Sequence, residues 1–443
     1  MLKKSTFWLT LMLGMLLPLV AACGSNTSPA TTSSGVSTLP PGENVYVLDG
    51  YAQQGTDATP QHIVAFHPGS TNPTSLISLP VGLTSMDHQK LYVATAKGGQ
   101  TTINVINTQN GVTIRAIVIS GMYSTAGQGF ASALASSDGH WLALVQQRQN
   151  NNATIIALVD TQVGRLVKTI QLNGDFDLDA LSPDGSSLYL LQKLSDGSGH
   201  YYVKLYNVNE GKLYDNAIVD KTDINERMTG VALVRQVAAD GTSAYTLYTN
   251  TSQNKAFVHI LPLDGEAFPF ARCVDLPSGK SADLLHYYTL TLSPDGGTLF
   301  AVNAALGVAS VIHLDNNGSS NIFNDQVIST IHFNPGKANS NSDTSRMLYN
   351  GAVLSPDGKM LYVVGMNGIW AINASDLQAQ RNSVVHYLSQ QSFTGIALSS
   401  DGRTLYAVDP GHGITVFDTT TKQVQQVIQG PAHAPWGIEW ISN

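Results

Sequence analysis

The chain of 443 residues has little of several things, and each scarcity excludes a class of protein. It has two cysteines, Cys23 and Cys273. A disulfide-stapled scaffold is therefore excluded, and so is a Cys-Cys-His zinc centre. Lys and Arg number 23 against 31 Asp and Glu, for a net charge of −8. That is not the basic face needed to neutralise phosphates, so nucleic acid is not an expected partner. The 12 histidines are scattered, with no pair at metal-helix spacing. His-x-Glu, Cys-x-x-Cys, Gly-x-Ser-x-Gly and glycine-rich phosphate loops are missing as well. Long helical periodicity is absent, while glycine (40) and Asp-Asn-Ser turns are plentiful. Together with a hydrophobic content of 43% and only 12% charged residues, this composition indicates a globular all-β protein.

What is present is one unit used many times. Leu-Ser-Pro-Asp-Gly followed by an apolar aromatic strand occurs at Leu181–Leu191, Leu292–Val302 and Leu354–Val364. It recurs as LSSDGRTLYAV at Leu398–Val408, and in worn form at Thr84, Ala135 and Ala238. Proline presets the second turn position and glycine accepts the positive φ that ends the turn, so the motif is a hairpin corner. Turn serines or their equivalents fall at 85, 136, 182, 238, 293, 355 and 399, with successive differences of 51, 46, 56, 55, 62 and 44. Each interval holds four short apolar strands, for example Phe130–Ala135, Trp141–Val145, Thr154–Val159 and Leu166–Leu172. One four-stranded sheet cannot bury both its faces, whereas a ring of stacked sheets can. The expectation is a β-propeller, all-β, with eight antiparallel blades, or seven if the first or fifth unit folds as an insertion. The first unit lacks an innermost strand, and Trp436–Ser442 repeats the pattern of Thr394–Ser399. The C-terminal strand should therefore close the ring against Val45–Leu48.

The N-terminal stretch reads as an export signal over residues 1–22: Lys3 and Lys4 precede an apolar run from Phe7 to Val20. It ends Leu19-Val20-Ala21-Ala22-Cys23-Gly24, which resembles the lipobox of bacterial lipoproteins. That resemblance implies lipidation of Cys23 and attachment to the extracytoplasmic face of a bacterial membrane. Residues 23–43 are rich in Ser, Thr and Pro and form a tether. The propeller domain occupies 44–443. Cys273, in an apolar stretch, is expected to be a buried inert thiol.

The repeat itself, Ser-Pro-Asp-Gly, a short gap, Leu-Tyr-Val-Val and then a strand such as Ile414-Thr415-Val416-Phe417-Asp418, resembles the YVTN-type β-propeller repeat. The same group resembles the lactonase-like and amine-dehydrogenase heavy-chain propellers. The resemblance covers nearly all of the chain after Gly42 and implies fold far more than chemistry, because propellers host enzymes, binders and scaffolds alike.

Propeller ligands are expected in the funnel where loops enter the innermost strands. In Asp175-Phe176-Asp177-Leu178-Asp179 the period-two alternation puts three carboxylates on one side of an entering strand. Such a set wants a cation: Ca²⁺, or Lys and Arg from a neighbouring blade. No other cofactor is expected. Phe130, Arg227, His286, Tyr288, Arg346 and Trp436 are further funnel candidates, suited to sugars, peptides or planar organics. No acid-base set stands out. The leading expectation is a monomeric, lipid-anchored binding module for an extracellular ligand or protein; a lactonase-like enzyme and a structural envelope protein are the alternatives.

Overall fold

The computed structural model describes residues 42–51, 59–69, 76–125, 132–146, 153–220, 222–224, 227–264, 269–315, 324–335, 348–365, 368–386, 391–410 and 412–442. These form eight four-stranded antiparallel sheets arranged as the blades of a ring. Blades 2 to 8 are each built from four consecutive strands, innermost first. Their innermost strands are Leu83–Thr84, Ala133–Ala135, Phe176–Leu181, Val231–Val237, Thr289–Leu292, Ala352–Leu354 and Gly395–Leu398. Every repeat unit is a blade, including the fifth with its worn corner. Among the described residues helix is limited to short pieces, such as the α-helix Ala374–Gln378 and the 3₁₀ turn Ala282–Tyr287. The first follows the third strand of blade 7 and starts where the Asn373 side chain accepts the Asp376 amide. No helix among these residues is long and apolar enough to cross a membrane.

Blade 1 is closed from both ends of the domain. Strand Pro435–Ser442 lies innermost and pairs antiparallel with Asn44–Tyr51, matching Val45 with Ile441 and Val47 with Ile438. Behind it follow Thr59–Phe66 and Ile77–Pro80. The join is pinned by Asp49, a buried carboxylate that accepts the amides of His433 (3.0 Å) and Ala434 (2.6 Å) and lies 3.3 Å from His62 Nε2.

The corners explain the repeat. In blade 4 Ser182 Oγ donates to Asp184 (2.7 Å), Asp184 accepts the Ser186 amide (2.9 Å), and the returning strand's Ser187 amide donates to Ser182 Oγ (2.9 Å). The same three bonds recur from Ser136, Ser293, Ser355 and Ser399. In blade 5, where Ala238 has no hydroxyl, Thr242 Oγ1 caps Asp240 instead (2.7 Å). The corner glycine serves two purposes. Gly139 has φ +67°, and a Cβ there would stand 2.5 Å from the hydroxyl oxygen of Tyr92, which donates to the Gly139 carbonyl from the preceding blade (2.7 Å). At Gly185, likewise, a Cβ would meet the Trp141 ring at 2.5 Å. Corners thus lock neighbouring blades. Blade 1 has no corner, and Glu43 replaces it by accepting the Tyr406 hydroxyl of blade 8 (2.7 Å).

The core is distributed between blades. Middle strands are buried on both faces, as in Trp141–Val145 and Ala153–Asp160, and their Leu, Ile and Val side chains pack against the next sheet. Outermost strands alternate at one end and are exposed at the other, as in Arg165–Asn173.

Candidate functional site

The innermost strands begin on one face of the ring, opposite the corners, and the loops that enter them carry the predicted site. Asp175 and Asp177 do arrive together at the head of the blade 4 inner strand. Lys193, on the adjoining strand, meets both, at 2.7 Å from Asp177 and 3.9 Å from Asp175. Asp179 departs from them. It is the extra residue of a β-bulge, since Leu178 pairs with Leu190 and Ala180 with Tyr189. A bulge re-aims its side chain. The Asp179 carboxylate is almost wholly buried and turns into the seam with blade 5, where Arg235 Nη2 donates to it at 2.7 Å. Arg235 Nε in turn donates to Thr246 (3.0 Å), and the Tyr248 hydroxyl lies 3.4 Å from the same carboxylate oxygen. The three carboxylates thus answer to two separate cations from the protein. Among the described residues no group of three or more His, Cys, Asp or Glu is placed to hold a metal ion.

Around Lys193 the entering face carries further charge and aromatic surface. The Arg227 guanidinium is half exposed, 3.6 Å from Asp196 and 5.9 Å above the Tyr202 ring; Lys204 lies over the same ring at 5.8 Å. The Ser198 hydroxyl and amide, with Arg227 beside them, hold the Asp196 carboxyl below its usual range.

Across the ring the entering face is bridged. Residues 348–350, just ahead of the blade 7 inner strand, lie across the inner strands of blades 8 and 1. The Tyr349 amide donates to the Thr394 carbonyl (2.7 Å), the Ile396 amide to the Asn350 carbonyl (3.0 Å), and Asn350 Nδ2 to the Ile438 carbonyl (2.9 Å). Two glycines permit this. A Cβ at Gly395 would stand 2.1 Å from the Tyr349 carbonyl oxygen, and one at Gly437 2.5 Å from its ring. The Tyr349 hydroxyl donates to Glu439, the bulge residue of the closing strand. Burial pushes the Tyr349 phenol well above its ordinary value, and Glu439 is raised by burial against the opposing effect of that hydrogen bond.

The remaining predicted residues fall in different places. Trp436 is half-buried and packs, with Tyr349, on the cluster between blades 1 and 2. Tyr288 is buried and donates to the Pro277 carbonyl (2.6 Å), tying down the 3₁₀ turn. His286, within that turn, packs on Tyr287 with ring centroids 4.2 Å apart. Phe130 and Arg346 lie outside the described residues, as does Cys23. Cys273 is only partly buried. Sequence reasoning missed Arg235, Glu439 and Lys193. Each has a partner far along the chain or across a hairpin, and the signal available was their charge at the middle or end of apolar strands.

No protein-family model matches the sequence. No curated protein matches it either. Solved structures do. The dihydro-heme d1 dehydrogenase NirN, in complex with DHE, is similar over 90% of this chain and 75% of its own, at 15% identity and a TM-score of 0.51. Apo AztD from Citrobacter koseri is similar over 89% and 96%, at 11% identity and a TM-score of 0.51. The periplasmic gluconolactonase PpgL of Pseudomonas aeruginosa is similar over 80% and 99%, at 16% identity and a TM-score of 0.41. At these identities the first two speak for the fold alone. It is the β-propeller fold.

Proposed function

We propose that this chain is a binding module, a propeller of the YVTN-repeat kind held by lipid at Cys23 to the extracytoplasmic face of a bacterial membrane. It takes a polar ligand on the entering face of blade 4 and the start of blade 5. The observation that carries the reading is the contrast around the entering face. At blades 7, 8 and 1 the entering face is covered by residues 348–350, with Tyr349 packed on the core, while at blade 4 it presents Lys193, Asp196, Arg227 and Tyr202 at the surface. Half-exposed ion pairs of this kind contribute little to stability, about 0–1 kcal/mol each, so their clustering beside an aromatic ring points to recognition. An extracytoplasmic site for the domain follows from the signal-like N-terminal stretch and the Ala-Ala-Cys-Gly motif.

The test is site-specific photocrosslinking in cells of the source organism. A photoreactive side chain at Ser195, beside this patch, should give a discrete crosslinked species, while one at Ser400, on the corner face, should not. In the same cells Cys23→Ser should move the protein from the membrane to the soluble fraction and weaken any crosslink to a membrane partner. Equal crosslinking from both faces would remove the assignment of the face, and membrane retention of the Cys23→Ser protein would remove the anchor.

A further inference from the structure

Between blades 4 and 5, outward of the Asp179–Arg235 pair, three soft or neutral ligand side chains meet around one small cavity. Cys273 and His259 are directly opposed on the antiparallel strands Arg272–Leu276 and Lys255–Pro262. Directly opposed residues hold their Cβ atoms about 4.5–5.5 Å apart on the same face of a sheet. Both line a cavity of ≈ 20 Å³, and Met228 lines it from the loop entering blade 5. That is room for a single atom-sized guest. His259 is 1% exposed, and its Nδ1 is buried with no hydrogen-bond partner. Such an orphan is uncommon and calls for an explanation. The ring is also held in place: Tyr248 meets it edge-on at 6.1 Å, and Tyr248 itself stacks on Phe257 at 5.5 Å. The Cys273 strand is fixed by its amide, which donates to Asp220 at 2.7 Å. A wider cleft on the outer side shares Asp220, Lys255 and Cys273 with the cavity and so provides an approach from solvent.

We propose that Cys273, His259 and Met228 form a binding site for one Cu(I) ion. The ligand chemistry selects the metal: a thiolate, a thioether and an imidazole suit a soft monovalent ion, whereas Ca²⁺ and Mg²⁺ require oxygen. Charge agrees. When Cu(I) binds, the Cys273 thiol releases its proton to solvent and the S–Cu unit is neutral. The one carboxylate in the lining, Asp220, is already held by Arg272, Thr222 and the Cys273 amide, and Lys255 lines the cavity too, so Zn²⁺ on the thiolate would leave a net positive charge there. An imidazole must be neutral to bind a metal, and burial lowers the His259 pKa from its ordinary value. This inference is independent of the ligand proposed for the entering face.

The test uses the full-length chain carrying Cys23→Ser, so that Cys273 is the sole thiol. Under anaerobic conditions Cu(I) is titrated in competition with a chromophoric Cu(I) chelator. The expected result is one equivalent bound, with affinity falling by at least about tenfold on Cys273→Ser and on Met228→Leu. X-ray absorption of the loaded protein should show two sulfur scatterers and an imidazole, with one sulfur lost in Met228→Leu. Should Cys273→Ser fail to fold, Met228→Leu and the absorption spectrum carry the test on an intact thiol. The proposal is overturned if the chelator strips all copper from the protein, if Cys273→Ser holds copper as tightly as its parent, if Zn(II) displaces Cu(I) at equal concentration, or if the sulfur shell is unchanged in Met228→Leu.

Discussion

Asp325 shows how a single buried residue carries a pH dependence that no local pattern reveals. It stands at the head of the outermost strand of blade 6, is 2% exposed, and accepts the Asp315 amide at 2.6 Å. Burial pushes its carboxyl up to about 7, with the Asp315 amide opposing, the Asp315 charge adding and Arg272 opposing. A folded pKa above the unfolded value means that the native state holds a proton the unfolded chain has already released. Stability therefore falls as pH rises from about 4 to about 7 and levels off above that. Asp325→Asn keeps an acceptor for the Asp315 amide and removes the titration. The variant should gain on wild type by about 1–3 kcal/mol between pH 5 and pH 8. Parallel melting of the two proteins across that range checks it, and a constant gap would count against the assignment. The corner aspartates run the other way. The Ser355 hydroxyl, then Lys359, brings Asp357 down to about 2, and the Ser293 hydroxyl with the Gly297 amide lowers Asp295. Their contribution is present above about pH 4 and is lost as pH falls through the lowered values. At this scale the sequence was legible where partners are local. Ser182 and Asp184 are two residues apart, and the Asp-Gly corner names itself. Asp179 and Arg235 are 56 residues apart, joined only when two blades stack, and no run of residues encodes that. Cys273 was expected to be inert because its neighbours are apolar; its exposure at a cavity depends on Met228, which a different loop supplies.

At the scale of the element, three inner strands carry a bulge among the described residues, at Asp179, Leu233 and Glu439, and two of these departures place a carboxylate. The bulges at Asp179 and Glu439 turn residues of a channel-lining strand toward a neighbour: Arg235 in one case, Tyr349 in the other. Alternation read from sequence puts Asp175, Asp177 and Asp179 on one side, and it fails at Asp179 because a bulge inserts one residue and flips the rest of the strand. The segment at 348–350 was equally hidden, since its docking depends on the absence of side chains at Gly395 and Gly437, two residues 42 positions apart in the chain. Gly395→Ala tests that docking. The new Cβ would meet the Tyr349 carbonyl oxygen at 2.1 Å, so the segment must lift, breaking its hydrogen bonds to Thr394 and Ile396. A loss of about 1–3 kcal/mol is expected, with faster amide exchange at Ile396. Unchanged exchange there would show that the segment contributes nothing to the inner strand.

For the molecule as a whole, blade number and closure were both legible, because a four-strand period and a missing first strand are arithmetic on one sequence. What the repeats could not supply is the ligand, since the corner motif encodes only how blades join. Closure carries the strongest consequence. In an open array of repeats each unit leans on its neighbours and the ends need caps. Here the ring has no ends, and strand Pro435–Ser442 replaces both caps: it pairs along Asn44–Tyr51, brings Ile438 and Trp440 into the clusters on either side of blade 1, and packs beside the inner strand of blade 8. Trp440 stacks on Tyr46 at 4.2 Å and on His88 of blade 2 at 5.3 Å. Removing residues 435–443 would expose the edge of Asn44–Tyr51, uncover Tyr349 and leave the segment that Asp49 holds at His433 and Ala434 with no strand to continue into. Loss of a ladder strand and two buried anchors exceeds the typical stability of a whole domain, about 5–15 kcal/mol, once anchors of about 3–5 kcal/mol each are joined by the unpaired backbone groups. The truncated chain should therefore fail to melt cooperatively and should bind a dye for exposed apolar surface at temperatures where the full chain does not. Adding the peptide of residues 435–443 in trans should restore part of the transition, as one strand lost from an otherwise complete ring would allow. A truncated protein melting at the temperature of the full chain would mean that the ring holds without its closing strand.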